Sequence, residues 1–427
     1  MIRAHSSRRK PRSSRRVSPL AAALLFASSP VLAETKPGLA AHLSESVREA
    51  QKLVEDVRGV PFGGPVASAV LPEKDLAKLL EQKLVEDLPV PFDKYAASLV
   101  AVGLLDPAPD LLKKLVRLYA RQVAGFYDPA EKKFYVVPER SAETSAQLGE
   151  LGITTSDLME EALLTHELTH ALQDRRLGLE KRLKSLKGST DATLAMESFL
   201  EGEATVVMIE ALLKRLPEDA RELLSTNMLT EMMSSLASGS ANVEGSEGVP
   251  EFFVKELLFP YAAGTAWVQK KRALGGGWGA IEEAYRRPPF STSEILHPDG
   301  TGYERAPLPE AEVPKTKDVP AGARPLYSDT LGEWIVQTLL ERAGAGEGAA
   351  KLAAQRTDDR ILFFERGYGK EHVGFLWRVR CSSPVAARSL GEALAPAWSG
   401  RPAPARPTTR VRGNVLEIAR GLEEPGR

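Results

Sequence analysis

The sequence predicts an α+β fold that is mostly α-helical, with a small β-hairpin or sheet in its main domain and a small α+β unit at its C-terminal end. Three observations carry this. Apolar residues recur at helical spacing through most of residues 39–124 and 156–274, broken by Pro and Gly. Two short β-prone runs flank Asp128-Pro129-Ala130-Glu131, a turn sequence. Further β-prone runs appear only from Arg360 onward, around one helical stretch.

The chain opens on a targeting pattern. Residues 3–16 are dense in Arg and Lys without any acid, Leu20 to Ala27 is apolar, and Val31-Leu32-Ala33 is a small-residue cleavage site before Glu34. Residues 1–33 are therefore expected to be a signal peptide. Ser14-Arg15-Arg16-Val17-Ser18 faintly resembles a twin-arginine signal, and an ordinary Sec signal in an Arg-rich leader is the other reading. The apolar run is too short to span a bilayer, so the mature chain is expected to be periplasmic or secreted with no stable membrane span. Cleavage leaves about 390 residues, enough for one large or two modest domains. A main domain over 34–310 and a linker with a small α+β region over 311–427 are expected. The single cysteine, Cys381, allows no intrachain disulfide and reads as a packed thiol. Net charge is −1 with the basic leader included, so the mature chain is acidic, which argues against nucleic acid or an anionic membrane as partner.

Within the main domain, helices are expected near 40–58, 73–88, 92–102 and 109–124, then the hairpin over 123–138. Thr155-Ser156-Asp157 offers a cap and Glu160-Glu161 early acid for a helix over 156–176, with Gly178 as its stop. A basic loop over 175–188 leads to a second helix over 191–214. Residues 216–240 look helical, and Ser234 to Gly248 reads as a loop or lid. A long helix over 251–274 contains Pro260, which should kink it, and Gly264, which allows close packing. Residues 304–326 read as a linker or extended crossover. A capped helix from Ser328, strands over 360–365, 373–380 and 410–418, and a helix over 385–395 complete the chain.

The first of the two central helices carries His166-Glu167-Leu168-Thr169-His170. Two imidazoles four residues apart stack on one helix face and can hold one metal ion, and the Glu between them can take a proton from a water there. A catalytic zinc needs a third protein ligand. Residues 171–180 contain no His, which leaves a carboxylate. On the second helix Leu194, Glu197, Glu201, Thr205 and Met208 share a face, and a carboxylate in that apolar stretch is costly unless neutralised. Glu203 points elsewhere and suits a salt bridge. Asp174, one turn past His170, is a candidate partner for a ligand imidazole's second nitrogen; holding the basic loop, or a surface pair with Arg175 or Lys181, are its other readings.

His166-Glu167-x-x-His170 followed by Glu201-Gly202-x-Ala204 resembles the gluzincin zinc metallopeptidases. The aminopeptidase branch of that clan implies Glu201 as third ligand; the thermolysin branch implies Glu197, with Glu201 behind it. Gly202 favours Glu201. Residues 110–300 are also similar to secreted bacterial gluzincin-like proteins in the order Gly125-Phe-Tyr-Asp-Pro129, His166 to Asp174, Glu201-Gly-Glu-Ala204, Phe259-Pro-Tyr-x-x-Gly264 and Ser291-Thr-x-x-Ile-Leu-His-Pro298. The resemblance implies a zincin-like domain, Zn²⁺ on His166, His170 and Glu201, Glu167 as general base, and a peptide or protein substrate. It also implies an oxyanion donor downstream, for which Tyr261 and His297 are the candidates, each with a structural reading beside it. The hairpin could form the sheet edge on which such enzymes lay an extended substrate, or serve as a plain structural hairpin. Two other functions fit the same residues: a non-catalytic zinc-stabilised envelope scaffold or binding protein, against which an intact Glu167 argues, and a zinc hydrolase of a non-peptide amide.

Overall fold

The computed structural model describes residues 37–86, 88–138, 156–215, 243–366, 373–400 and 406–422. The targeting segment, the Thr155 cap, the helix expected over 216–240 and residues 234–242 of the Ser/Gly-rich stretch lie outside the described residues. The order begins with α1 (Pro37–Arg58), β1 (Ala67–Val70), α2 (Glu73–Glu86), α3 (Phe92–Val102) and α4 (Leu111–Gln122). The hairpin β2 (Gly125–Asp128) and β3 (Lys133–Val136) follows, then helices α5 (Ser156–Leu177), α6 (Leu179–Ser185), α7 (Thr190–Arg215), α8 (Glu251–Leu274), α9 (Trp278–Arg286) and α10 (Thr292–Leu296). The C-terminal part holds β4 (Arg324–Asp329), α11 (Gly332–Arg342), α12 (Gly348–Ala353), β5 (Arg356–Glu365), β6 (Val373–Cys381), α13 (Pro384–Leu394), β7 (Thr408–Arg412) and β8 (Val415–Arg420). The fold is α+β and mostly helical. No helix among the described residues is long and apolar enough to cross a membrane.

Helix α7 is the centre. Every residue from Thr190 to Val207 is buried, because α8, α5, α1, α10 and α11 pack around it. Helix α8 makes the longest contact, and two glycines set its distance. A Cβ on Gly264 would lie 1.9 Å from the Ser198 carbonyl oxygen, and one on Gly202 would lie 2.2 Å from the Gly264 carbonyl carbon. Backbone meets backbone at this crossing, so neither position has room for a side chain.

The sequence pattern left four features unseen. Residues 67–70 form β1, which pairs parallel to β3, so the hairpin sits in a three-stranded sheet of order β1-β3-β2 with β2 at an edge. The expected basic loop after Arg175 contains α6, because Gly178 turns left-handed (φ 62°) and Leu179 and Leu183 bury one face of a new helix. Residues 324–329 pair with β5 as a strand, so the helix expected from Ser328 begins at Gly332. Gly413-Asn414 turns the run over 410–418 back on itself, giving β7 and β8. The second sheet is antiparallel in the order β4-β5-β6-β8-β7.

This second sheet is tied to the start of α7 by buried charge. Asp191 accepts from the Thr292 N–H at 2.7 Å, the Thr292 hydroxyl at 2.6 Å and Arg356 Nη2 at 3.1 Å. Arg356 Nε donates to Asp359 at 2.5 Å, and Asp359 also accepts from Leu331 N, Gly332 N and Trp377 Nε1. One buried apolar cluster runs from α2–α4 through α7 and α8 into this sheet, and a second lies beneath α1, β2, β3 and α5.

Gly264→Ala should destabilise the fold by ~3 kcal/mol or more, because two backbones must separate. Gly279→Ala, in α9 with open space around it, should change stability by less than about 1 kcal/mol. Denaturant melts of both variants check this.

Candidate metal centre

Helix α5 presents His166 and His170 on the face it packs against α7, and Glu201 meets them there. His166 Nε2 lies 3.1 Å from Glu201 Oε2 and 3.2 Å from His170 Nε2, and His170 Nε2 lies 3.5 Å from the same carboxylate oxygen. All three side chains are buried. Two imidazole nitrogens and one carboxylate oxygen, gathered this closely in a helical core, can hold a metal ion.

The electrostatics suit a cation. Burial disfavours charge on His170, but the Glu201 carboxylate outweighs it and raises the imidazole to about 9. Burial likewise opposes ionisation of Glu201, yet His170 and His166 hold its carboxyl well below the usual range. The site therefore stabilises a carboxylate and asks for positive charge beside it. A divalent ion meets that demand with ligands of the right kind.

Glu197, the alternative ligand one turn earlier, is in a different state. It is buried, and neither carboxylate oxygen has a hydrogen-bond partner among the described residues. Burial, with Glu256 and Glu201 nearby, raises its pKa well above the ordinary value, which keeps it neutral. Burial and the neighbouring Asp329 push Glu256 up to about 8.

The triad opens on a cleft of about 420 Å³, lined among others by Gly125, Phe126, Leu163, Met208, Leu257 and Tyr261. Glu167 lies at its wall. Its Oε2 accepts the backbone N–H of Tyr127 on β2 at 3.0 Å. Burial raises its pKa, against the pull of the two imidazoles and this N–H. Tyr261, on α8, stacks on His166 at 6.1 Å between ring centres and lines the same cleft. Burial and the carboxylates of Glu201 and Glu167 raise its pKa well above the ordinary value, so it remains an O–H donor. Gly264, one turn beyond Tyr261, makes the helix approach that carries this hydroxyl to the cleft.

His297 is placed elsewhere. Its Nε2 lies 2.7 Å from Glu333 Oε1 and its ring stacks on Tyr303, so it anchors the segment after α10 to α11 and does not line the cleft. Asp174 is also reassigned among its three readings. It is buried, accepts from the Tyr127 hydroxyl at 3.0 Å and from the Leu179 N–H at 2.8 Å, and so holds α6 and β2 to the end of α5. The partner of the His170 ring is Gln173, three residues on, at 2.8 Å. A spacing of three falls on the same helix face as a spacing of four, and that rule could have found it. The Tyr127 contact to Glu167 had no comparable signal, since a backbone N–H leaves no trace in residue type. Glu203 is an ion-pair residue, as its position around α7 implies: Arg58 Nε donates to it at 2.6 Å.

No family model matches the chain, and no curated protein matches it. Among solved structures it is similar to one described as "a putative hydrolase with a novel fold" from Chloroflexus aurantiacus, at 22% identity over 63% of this chain and 90% of that chain, with a TM-score of 0.39. A likeness that loose carries no argument about fold or activity.

Two outcomes are expected. Glu201→Ala should lose divalent-metal binding while Glu197→Gln keeps it, as calorimetric titration would report. A carboxyl whose folded pKa of about 8 exceeds the ordinary 4.5 holds its proton more tightly when folded. Its contribution to stability is thus complete below pH 4.5 and lost as pH rises through 8. Glu256→Gln should therefore be near neutral at pH 4.5 and stabilising at pH 9, by up to about 5 kcal/mol, in melts across that range.

Proposed function

We propose that this protein is an exported, gluzincin-like zinc peptidase. The observation that carries the reading is the meeting of three metal-ligand side chains, a carboxylate with a raised pKa and a tyrosine hydroxyl at one cleft beside a sheet edge. His166, His170 and Glu201 would hold Zn²⁺. Zinc, when bound, supplies Lewis-acid polarisation of a carbonyl and acidifies water.

Everything else falls to the chain's own groups. Glu167 has one oxygen fixed by the Tyr127 N–H, which leaves Oε1 to exchange protons. It accepts a proton from the attacking water and returns it to the leaving amine nitrogen. A raised carboxyl pKa suits both transfers. The Tyr261 hydroxyl donates to the oxyanion that forms when the peptide carbonyl is attacked.

Strand β2 supports an extended substrate. The Val137 N–H bonds the Ala124 carbonyl, and Phe126 is opposite Tyr135. In an antiparallel ladder this alternation turns the backbone groups of Gly125 and Tyr127 away from β3. Tyr127 spends its N–H on Glu167, so Gly125, in the cleft wall, is the rung left for a peptide. The apolar wall of Phe126, Leu163, Met208 and Leu257 favours apolar side chains next to the cleaved bond. The leader over 1–33 supports action outside the cytoplasm.

The test uses residues 34–427 on a peptide library. Glu167→Gln should keep one Zn²⁺ per chain and lose cleavage by ~10²–10⁴-fold. Tyr261→Phe should lower kcat by ~10²-fold with KM little changed. Wild type that holds zinc and cleaves no peptide would contradict the reading.

A further inference from the structure

An imidazole that gives Nε2 to a metal must carry its proton on Nδ1, and something must hold it in that form. Behind His170 the hydrogen bonds leave one assignment. His170 Nδ1 lies 2.8 Å from Gln173 Oε1. The Gln173 amide nitrogen donates to the Leu200 carbonyl at 2.9 Å and to Glu203 Oε2 at 3.0 Å. Both partners only accept, so turning the amide round would set its oxygen against two oxygens. The amide oxygen therefore accepts, and His170 Nδ1–H donates.

The far end is fixed as firmly. Glu203 accepts from Arg58 Nε at 2.6 Å and from the Tyr285 hydroxyl at 2.6 Å. Arg58 also donates to Glu282 at 3.0 Å and lies over the Trp278 ring at 4.1 Å. Gln173 and Glu203 are both fully buried. One cation and a hydroxyl outside the site thus set which way one neutral amide faces inside it.

We infer that Gln173 is a positioning residue: locked by Glu203 and Arg58, it sets the tautomer and ring angle of His170 and through them the metal affinity of the site. This rests on the reading of the triad as a zinc site. A neutral acceptor suits the place. Glu201 and Glu167 already bring two carboxylates to the triad, and a third behind His170 would sit against Glu203.

The experiment is ¹⁵N-histidine NMR on residues 34–427, metal-free and zinc-loaded, with Zn²⁺ Kd from competition against a chromophoric chelator. Wild type should show an exchange-protected Nδ1–H from His170, assigned by its loss in His170→Asn. Gln173→Leu should lose that signal and weaken Kd by ~10–100-fold. Gln173→Glu keeps an acceptor for Nδ1–H but sets its second oxygen against the Leu200 carbonyl and Glu203, so the lock is lost and Kd should also weaken by ~10-fold or more. Thermal melts separate a loss of fold from a loss of positioning. Should Gln173→Leu not fold, the wild-type spectrum still decides the hydrogen bond. No protected proton in wild type, or an unchanged Kd in a folded Gln173→Leu, would overturn the inference. A protected proton in wild type that binds no zinc would overturn the zinc reading and leave the tautomer assignment standing.

Discussion

A buried carboxylate is costly unless it is paired, hydrogen-bonded or neutral, and helix α7 buries four of them. Each is met in a different way, and the structure around α7 follows from those four solutions. Asp191 takes Arg356 and Thr292, which ties the C-terminal sheet to the helix start. Glu197, buried beside Glu256 and Glu201, has its pKa raised well above the ordinary value, which favours the neutral form. Glu201 takes two imidazoles and has room among them for a metal ion. Glu203 takes Arg58, Tyr285 and Gln173, which ties α1 and α9 to the same helix. Remove the partners and the helix could not stay buried.

The same arrangement connects the surroundings of the site to its chemistry. The Gly202–Gly264 crossing lets α8 approach closely enough for Tyr261 to stack on His166. Asp174 holds the Tyr127 hydroxyl while the Tyr127 N–H holds Glu167, so one strand residue joins the end of α5 to the group expected to move protons. Rigid helices rather than loops carry all three donors, which keeps their spacing fixed.

The sequence made the His166–His170–Glu201 cluster legible because its physics is local. His166 and His170 share a helix face by spacing alone, and a carboxylate on an otherwise apolar helix signals that something neutralises it. Most long helices were legible too, since α7 and α8 cover the spans that their apolar spacing implies. What could not be read depends on contacts between distant segments. Strand β1 exists because it pairs with β3, and four residues of Ala, Ser and Val announce nothing alone. His297 looked functional by rarity, yet Glu333, far along the chain, claims its ring. Asp174 and Gln173 are adjacent in sequence, and only the packing of α5 on α7 decides which one reaches His170.

The central claim is that His166, His170 and Glu201 form one zinc site. Anomalous diffraction at the zinc edge, from crystals of residues 34–427 grown after reconstitution, tests it most directly. The account predicts a single strong peak bonded to His166 Nε2, His170 Nε2 and a Glu201 oxygen at ~2.0–2.2 Å. No peak there, or a peak on other residues, would contradict it.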